Sequence, residues 1–141
     1  MTIRNIQARV LLAAVAALAA SASVMAGVRS INRTVVVNQT TRFAEGQLAG
    51  ARASTDGWQY IGCNTWATDA SPGQEGGASR AGVCYASDAR GVSAFCVTSE
   101  PALLDVMAAV QGDSWVNFNW NASNTCTNVE SRQGSSQEPK H

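Results

Sequence analysis

Histidine and lysine are the residues this chain has least of, and their scarcity excludes several classes of function. The one histidine among 141 residues is His141, at the polar C-terminal end, so a serine or cysteine nucleophile has no positioned imidazole to activate it. Arginine supplies every positive charge except Lys140, and charged residues of both signs make up only 14% of the chain. No basic cluster is present, so the sequence predicts no nucleic-acid-binding face.

Sequence motifs for metal and nucleotide chemistry are also missing. Successive cysteines are separated by 21, 12 and 30 positions, which leaves no C-x-x-C pair for a zinc site or for a thioredoxin-type redox centre. The chain has no P-loop, no G-x-G-x-x-G stretch and no EF-hand loop. We therefore predict no metal and no cofactor.

Paired carboxylates are the remaining route to catalysis, because two of them can hydrolyse a glycosidic bond without histidine. The aspartates of this chain are better explained as turn, helix-surface and connecting residues than as catalytic ones. The candidates by residue type are Asp56, Asp69, Asp88, Asp105 and Asp113. We predict that the protein is not an enzyme.

The N-terminus has the three parts of a secretory signal peptide. Arg4 and Arg9 supply a positive region, residues 10–20 form a short apolar run, and small residues follow up to Ala26. The apolar run is shorter than the ~20 residues needed to span a bilayer. The sequence therefore predicts a Sec-type signal peptide over residues 1–26, export to the periplasm or the outside of the cell, and no transmembrane segment in the mature chain.

The composition of the mature chain suggests three parts. Residues 27–56 are expected to be an N-terminal arm, in which the valine-rich run at 35–37 is strand-like and a small, polar, Gly-rich connector follows. Residues 57–132 contain all four cysteines and are expected to form the compact domain. Residues 133–141 are a polar tail.

A central hairpin is the clearest local feature. Residues 79–88 and 92–99 are β-rich runs on either side of a three-residue turn that ends in Gly91. With that turn, Cys84 lies directly opposite Cys96, and both side chains point to the same face of the hairpin.

The elements around this hairpin suggest an α+β fold. Residues 58–63 are predicted to be a strand, and residues 99–113 a helix that Ser99 caps. Residues 114–120 alternate strictly, and residues 125–131 are predicted to be the last strand. We expect a small antiparallel sheet in hairpin–helix–hairpin order, with one packed helix and two disulfides.

The four cysteines are predicted to form structural disulfides, because an even number behind a signal peptide is typical of small exported domains. Four cysteines allow three pairings. The hairpin would let Cys84 join Cys96 directly. We favour Cys63–Cys84 with Cys96–Cys126, because these bridges pin the first and last strands to the central hairpin.

The candidate ligand face lies on the strand at 114–120, where alternation places Trp115, Asn117 and Asn119 together. A flat indole beside side-chain amides can stack on a sugar and hydrogen-bond its hydroxyls. The alternative is that another part of the fold covers this face and half-buries the indole. Three aromatic residues near the first cysteine could extend such a surface: Trp58, Tyr60 and Trp66.

Short stretches of the compact part resemble small secreted bacterial proteins of unknown function. The resemblance is carried by IGC, CYASDARG, FCVTSEPALL, DSWVNFNW, CT and the terminal PK, at residues 61–63, 84–91, 95–104, 113–120, 126–127 and 139–140. It implies an exported domain stapled by disulfides, and it implies no activity and no binding residue.

Three functions therefore remain open. The first is a non-enzymatic exported domain that binds a cell-surface or extracellular component such as a glycan. The second is a structural or assembly protein that self-associates when residues 33–43 add a strand to a neighbour's sheet. The third is a secreted hydrolase inhibitor that uses the loop predicted at residues 64–79.

Overall fold

A computed structural model describes residues 34–69 and 79–134 as seven strands and two short helices. The predicted signal peptide, residues 70–78 and nearly all of the polar tail lie outside the described residues. The elements in chain order are β1 (Val36–Asn38), β2 (Phe43–Gln47), α1 (Leu48–Arg52), β3 (Tyr60–Thr68), β4 (Ser79–Ser87), β5 (Ser93–Thr98), α2 (Pro101–Ala108), β6 (Trp115–Trp120) and β7 (Cys126–Arg132). Neither helix has the length and hydropathy that crossing a bilayer would require.

The strands form two antiparallel sheets, where the sequence predicted one. The four-stranded sheet has the order β1-β2-β6-β7, and the three-stranded sheet has the order β3-β4-β5. The two sheets separate because the β6–β7 hairpin pairs with β2, for example Phe118 with Ala44. Among the described residues, its strand pairing with the central hairpin is limited to one isolated bridge between Val97 and Thr125. The molecule is therefore mostly sheet, and the expected α+β label fits it only in part.

The N-terminal segment contributes to this fold directly. β1 and β2 lie in the same sheet as β6 and β7, and Val35, Val37 and Ala44 are buried in the core. A Cβ atom on Gly46 would lie 3.0 Å from Cγ2 of Val35, so glycine lets the two backbones approach closely. Strands on both sides of Gly57 share one sheet, and residues 34–56 do not form a separate arm.

The central hairpin has the predicted turn. Cys84 and Cys96 are direct partners in the β4–β5 register, and the backbone N–H of Asp88 donates to the carbonyl of Val92 at 3.0 Å. Gly91 has φ of 77°, the left-handed conformation in which glycine carries no Cβ penalty.

Helix α2 is shorter than the predicted range of 99–113, and its N-cap lies one residue later than the predicted Ser99. Glu100 occupies the N-cap position, and Thr98, not Ser99, accepts the hydrogen bond from the Glu100 N–H. Leu104 and Met107 are buried against β4.

Strand β3 is longer than the predicted 58–63. It continues through Thr68 and pairs with β4 along its whole length, because the residues after Cys63 include threonines and a tryptophan that favour a sheet. Part of the predicted loop at 64–79 is therefore strand.

Two disulfides join Cys63 to Cys84 and Cys96 to Cys126. This is the pairing that the sequence favoured. The first bridge ties β3 to β4 within the three-stranded sheet, whereas the second ties β5 of that sheet to β7 of the other. One hydrophobic core contains buried residues of both sheets.

Candidate functional site

The indole of Trp115, the centre of the predicted ligand face, is buried. Only 7% of the residue is exposed, and the guanidinium carbon of Arg132 lies 4.7 Å from the ring centroid. The indole Nε1 is buried and has no hydrogen-bond partner among the described residues. The ring therefore offers no open face on which a sugar could stack.

The two amides of the predicted face are also surrounded by neighbours. Asn119 donates from Nδ2 to the carbonyl of Arg42 at 3.5 Å, and its Oδ1 accepts from Asn128 at 3.5 Å. Asn117 lies between Glu45 and Glu130 in the sheet register. The alternative weighed from sequence, a covered face with a buried Trp115, describes this region better than a stacking surface does.

The outer face of the three-stranded sheet has a different character. Its inner face carries Cys84 and Cys96 and packs into the core, so alternation points the intervening residues outward. We call this outer face the aromatic face. It consists of Tyr60, Gly62, Asn64, Trp66 and Thr68 of β3, Ser79, Ala81, Val83, Tyr85 and Ser87 of β4, and Ser93, Phe95 and Val97 of β5. None of these residues is charged.

Large hydrophobic side chains are concentrated on the aromatic face. Six such side chains are exposed among the described residues, and four of the six lie here. The exposed fractions are 45% for Tyr60, 48% for Trp66, 50% for Phe95 and 44% for Val97. Exposed apolar side chains that gather on one face, in contrast to singly scattered ones, are typical of an interaction site.

The rings at one end of the aromatic face are held in place by their neighbours. Tyr85 and Tyr60 have ring centroids 5.7 Å apart, and Phe95 is the cross-strand partner of Tyr85. Tyr85 extends over Gly62, where an added Cβ would lie 3.5 Å from the hydroxyl. Asn64 donates from Nδ2 to that hydroxyl at 3.4 Å. The rings of Tyr60 and Tyr85 are therefore held in a fixed arrangement by contacts within the protein.

Open grooves lie near both ends of the aromatic face. One groove is walled by Trp66, Ala81 and Val97 and also lined by three hydroxyl-bearing residues: Thr98, Ser99 and Thr125. The other groove runs between Tyr60 and helix α1. Its remaining lining residues are Leu48, Ala51, Arg52, Gln59 and Ile61.

Two of the candidate aspartates accept hydrogen bonds that lower their pKa. Burial raises the pKa of Asp88, but hydrogen bonds from Arg90 and from the Val92 N–H outweigh it and hold the pKa below the ordinary value. Hydrogen bonds, first from the Gln59 side chain and then from the Trp58 N–H, lower the pKa of Asp56.

Two further aspartates lie in ion pairs on the surface. Asp105 pairs with Arg80 at 3.2 Å, and Asp113 pairs with Arg52 at 3.0 Å. Ion pairs and hydrogen bonds therefore hold four of the five aspartates considered from the sequence.

Sequence reasoning found part of the aromatic face and missed its centre. Tyr60 and Trp66 were named as possible extensions of a ligand surface and do lie on it, whereas Trp58 is exposed outside the strands. Tyr85 and Phe95 were not singled out. The signal was available in the disulfides, because a bridged Cys96 must face the core and its neighbour Phe95 must then face outward.

Comparisons with protein-family models, with curated proteins and with solved structures gave no match. The resemblance to small secreted bacterial proteins stays a prediction, and function is inferred from geometry alone.

Proposed function

We propose that this protein is an exported, non-enzymatic binding domain whose ligand is a neutral glycan, bound on the aromatic face. The observation that carries the proposal is the coincidence of four exposed hydrophobic side chains with a face that has no charged residue. The proposed ligand surface therefore lies on the three-stranded sheet, whereas the sequence placed it at Trp115, in the four-stranded sheet.

The charge pattern selects the class of ligand. An uncharged face provides no partner for phosphate or carboxylate groups, which proteins bind through arginine and lysine. A sugar ring has an apolar side that stacks on an aromatic ring and hydroxyls that need hydrogen-bond partners. The aromatic face has both features, since exposed rings lie beside the Asn64 amide, and two hydroxyl-bearing residues, Ser99 and Thr125, line the groove next to Trp66.

The disulfides support the proposed export to the periplasm or to the outside of the cell. Cysteine bridges form and persist where the environment is oxidising, as in the bacterial periplasm or outside the cell. Both bridges of this chain are closed, and no cysteine is free. Export by the signal peptide predicted over residues 1–26 is part of the proposal.

The test measures binding of the mature, oxidised protein to a panel of neutral polysaccharides. Affinity electrophoresis and acrylamide quenching of tryptophan fluorescence are the two readouts. A Trp58→Phe background leaves Trp66 as the exposed indole, because Trp115 and Trp120 are buried. Bound glycan should shield Trp66 from acrylamide.

Two substitutions on the face and one control complete the test. Trp66→Ala and Phe95→Ala should each weaken binding about tenfold, the effect of losing one stacked ring. Val36→Ala removes an exposed hydrophobic side chain from the other sheet and should leave binding unchanged. Failure of every polysaccharide to bind would refute the proposal, as would a Phe95→Ala variant that binds like the wild type.

Self-association through β1 is the second candidate, because β1 is an edge strand with Val36 exposed. Deleting the N-terminal segment would not test it, since that segment supplies core residues. Val36→Lys should instead convert any oligomer to a monomer in size-exclusion chromatography. A wild-type protein that elutes as a monomer at all concentrations would contradict assembly.

A further inference from the structure

The aromatic face has two separate positions for stacking, and both lie on one strand. Tyr60 and Trp66 are the first and seventh residues of β3 and point to the same side of the sheet. At a rise of about 3.3 Å per residue, their Cα atoms are about 20 Å apart. A single sugar ring cannot contact both side chains.

Each of these aromatic residues lines a groove of its own. Trp66 lines one groove together with Ala81, Val97 and Ser99. Tyr60 lines the other groove with Leu48 and Arg52, where β3 meets helix α1, and Arg52 is paired there with Asp113. The two grooves lie at opposite ends of the same strand.

The surface between the two positions is uncharged. Asn64 lies midway along β3, with Val83 as its partner on β4, and Tyr85 lies between Asn64 and Tyr60. No lysine, arginine, aspartate or glutamate projects from the aromatic face to interrupt this path. The surface between the two grooves therefore offers no charge that would disfavour a neutral ligand.

We infer that the aromatic face binds a linear, neutral, β-1,4-linked polysaccharide that lies along β3, with one sugar on Tyr60 and another on Trp66. The inference rests on the proposed function and names the ligand's linkage, shape and minimum length. A β-1,4-linked chain is extended, so it can follow the line along β3 from Tyr60 to Trp66. Its successive rings present apolar sides that can reach both aromatic positions at once.

Occupying both positions with one molecule makes affinity depend on chain length. A disaccharide covers one position, whereas a hexasaccharide reaches the second without a further loss of translational and rotational freedom. Affinity should therefore rise steeply between these two lengths.

The experiment is isothermal titration calorimetry of the mature, oxidised protein with cellulose and chitin oligomers, using the dimer and the hexamer of each series. We expect the hexamer of at least one series to bind at least about tenfold more tightly than its dimer. Tyr60→Ala and Trp66→Ala should each bring the affinity for that hexamer down toward the affinity for the dimer. Trp58→Ala is the matched control, because Trp58 is exposed and lies outside the strands.

The outcomes separate this inference from the proposed function. Equal affinity for dimer and hexamer would overturn the inference and leave the glycan-binding function in place. The same conclusion follows if neither hexamer binds while another polysaccharide of the panel does. If no polysaccharide binds at all, both are refuted. Near-ultraviolet circular dichroism of each variant shows whether the tertiary structure is retained.

Discussion

A substitution at Gly82 tests how tightly helix α2 packs on the three-stranded sheet. A Cβ atom at this position would lie 2.6 Å from Sδ of Met107, 2.8 Å from Cδ2 of Leu104 and 3.1 Å from the carbonyl of Asn64. Both side chains are buried, so neither has free space into which to move. Overpacking of this kind costs about 1–3 kcal/mol, and we expect Gly82→Ala to lower the free energy of unfolding by that amount.

Gly62 provides a matched control on the neighbouring strand. A Cβ atom there points to the aromatic face, and its nearest contact is the Tyr85 hydroxyl at 3.5 Å, an ordinary van der Waals distance. Gly62→Ala reduces the entropy of the unfolded chain without overpacking, so it should be neutral or stabilising by up to about 1 kcal/mol. Urea denaturation of the oxidised proteins, followed by tryptophan fluorescence, measures both variants.

A double-mutant cycle then tests the cause of the loss. Met107→Ala alone should cost about 2–5 kcal/mol, because it empties a buried site. Combined with Gly82→Ala, it should cost less than the sum of the two single substitutions, since the new methyl group occupies space that the sulfur has left. Additive losses, or a Gly82→Ala variant as stable as Gly62→Ala, would refute the packing described for α2.

Three further predictions concern other parts of the fold. Replacing Cys96 and Cys126 by alanine should lower the free energy of unfolding by about 3–4 kcal/mol in urea, because their bridge closes a 30-residue loop. The pKa of Asp88 in the fold is below its ordinary value of 3.8, so the ionised carboxylate stabilises the fold above that value, and this stabilisation is lost as pH falls through the folded-state pKa. In Asp88→Asn, the free energy of unfolding should therefore depend less on pH in that range. Arg132→Ala should uncover Trp115 and shift its emission to longer wavelength, at a cost of less than about 1 kcal/mol.

The parts of the fold that sequence reasoning predicted are local. The β4–β5 hairpin follows from a three-residue turn with a glycine, and the register of Cys84 with Cys96 follows from that turn. The hairpin alone also allowed Cys84–Cys96, and the observed pairing was favoured because its bridges pin the first and last strands to the hairpin.

The division into two sheets could not be predicted, because it depends on contacts between distant segments. β2 has the sequence FAEGQ, which has few strand-forming residues, and it becomes a strand by pairing with β6 about 70 positions away. The burial of Trp115 depends likewise on Arg132, which β7 brings over the ring. Alternation alone places a residue on a face of a sheet and does not say whether another side chain covers it.

The row of cysteines across the three-stranded sheet has a consequence for how the protein is made. Cys84 lies opposite Cys63 on one side and opposite Cys96 on the other, but it is bridged to Cys63. The hairpin forms from local sequence, and its two cysteines are only 12 positions apart, against 21 and 30 for the native bridges. Closing the shorter loop costs less chain entropy, so we expect oxidation to join Cys84 to Cys96 first. Native protein then forms after thiol–disulfide exchange moves the bond of Cys84 from Cys96 to Cys63, so oxidative refolding should be faster when a disulfide isomerase is present.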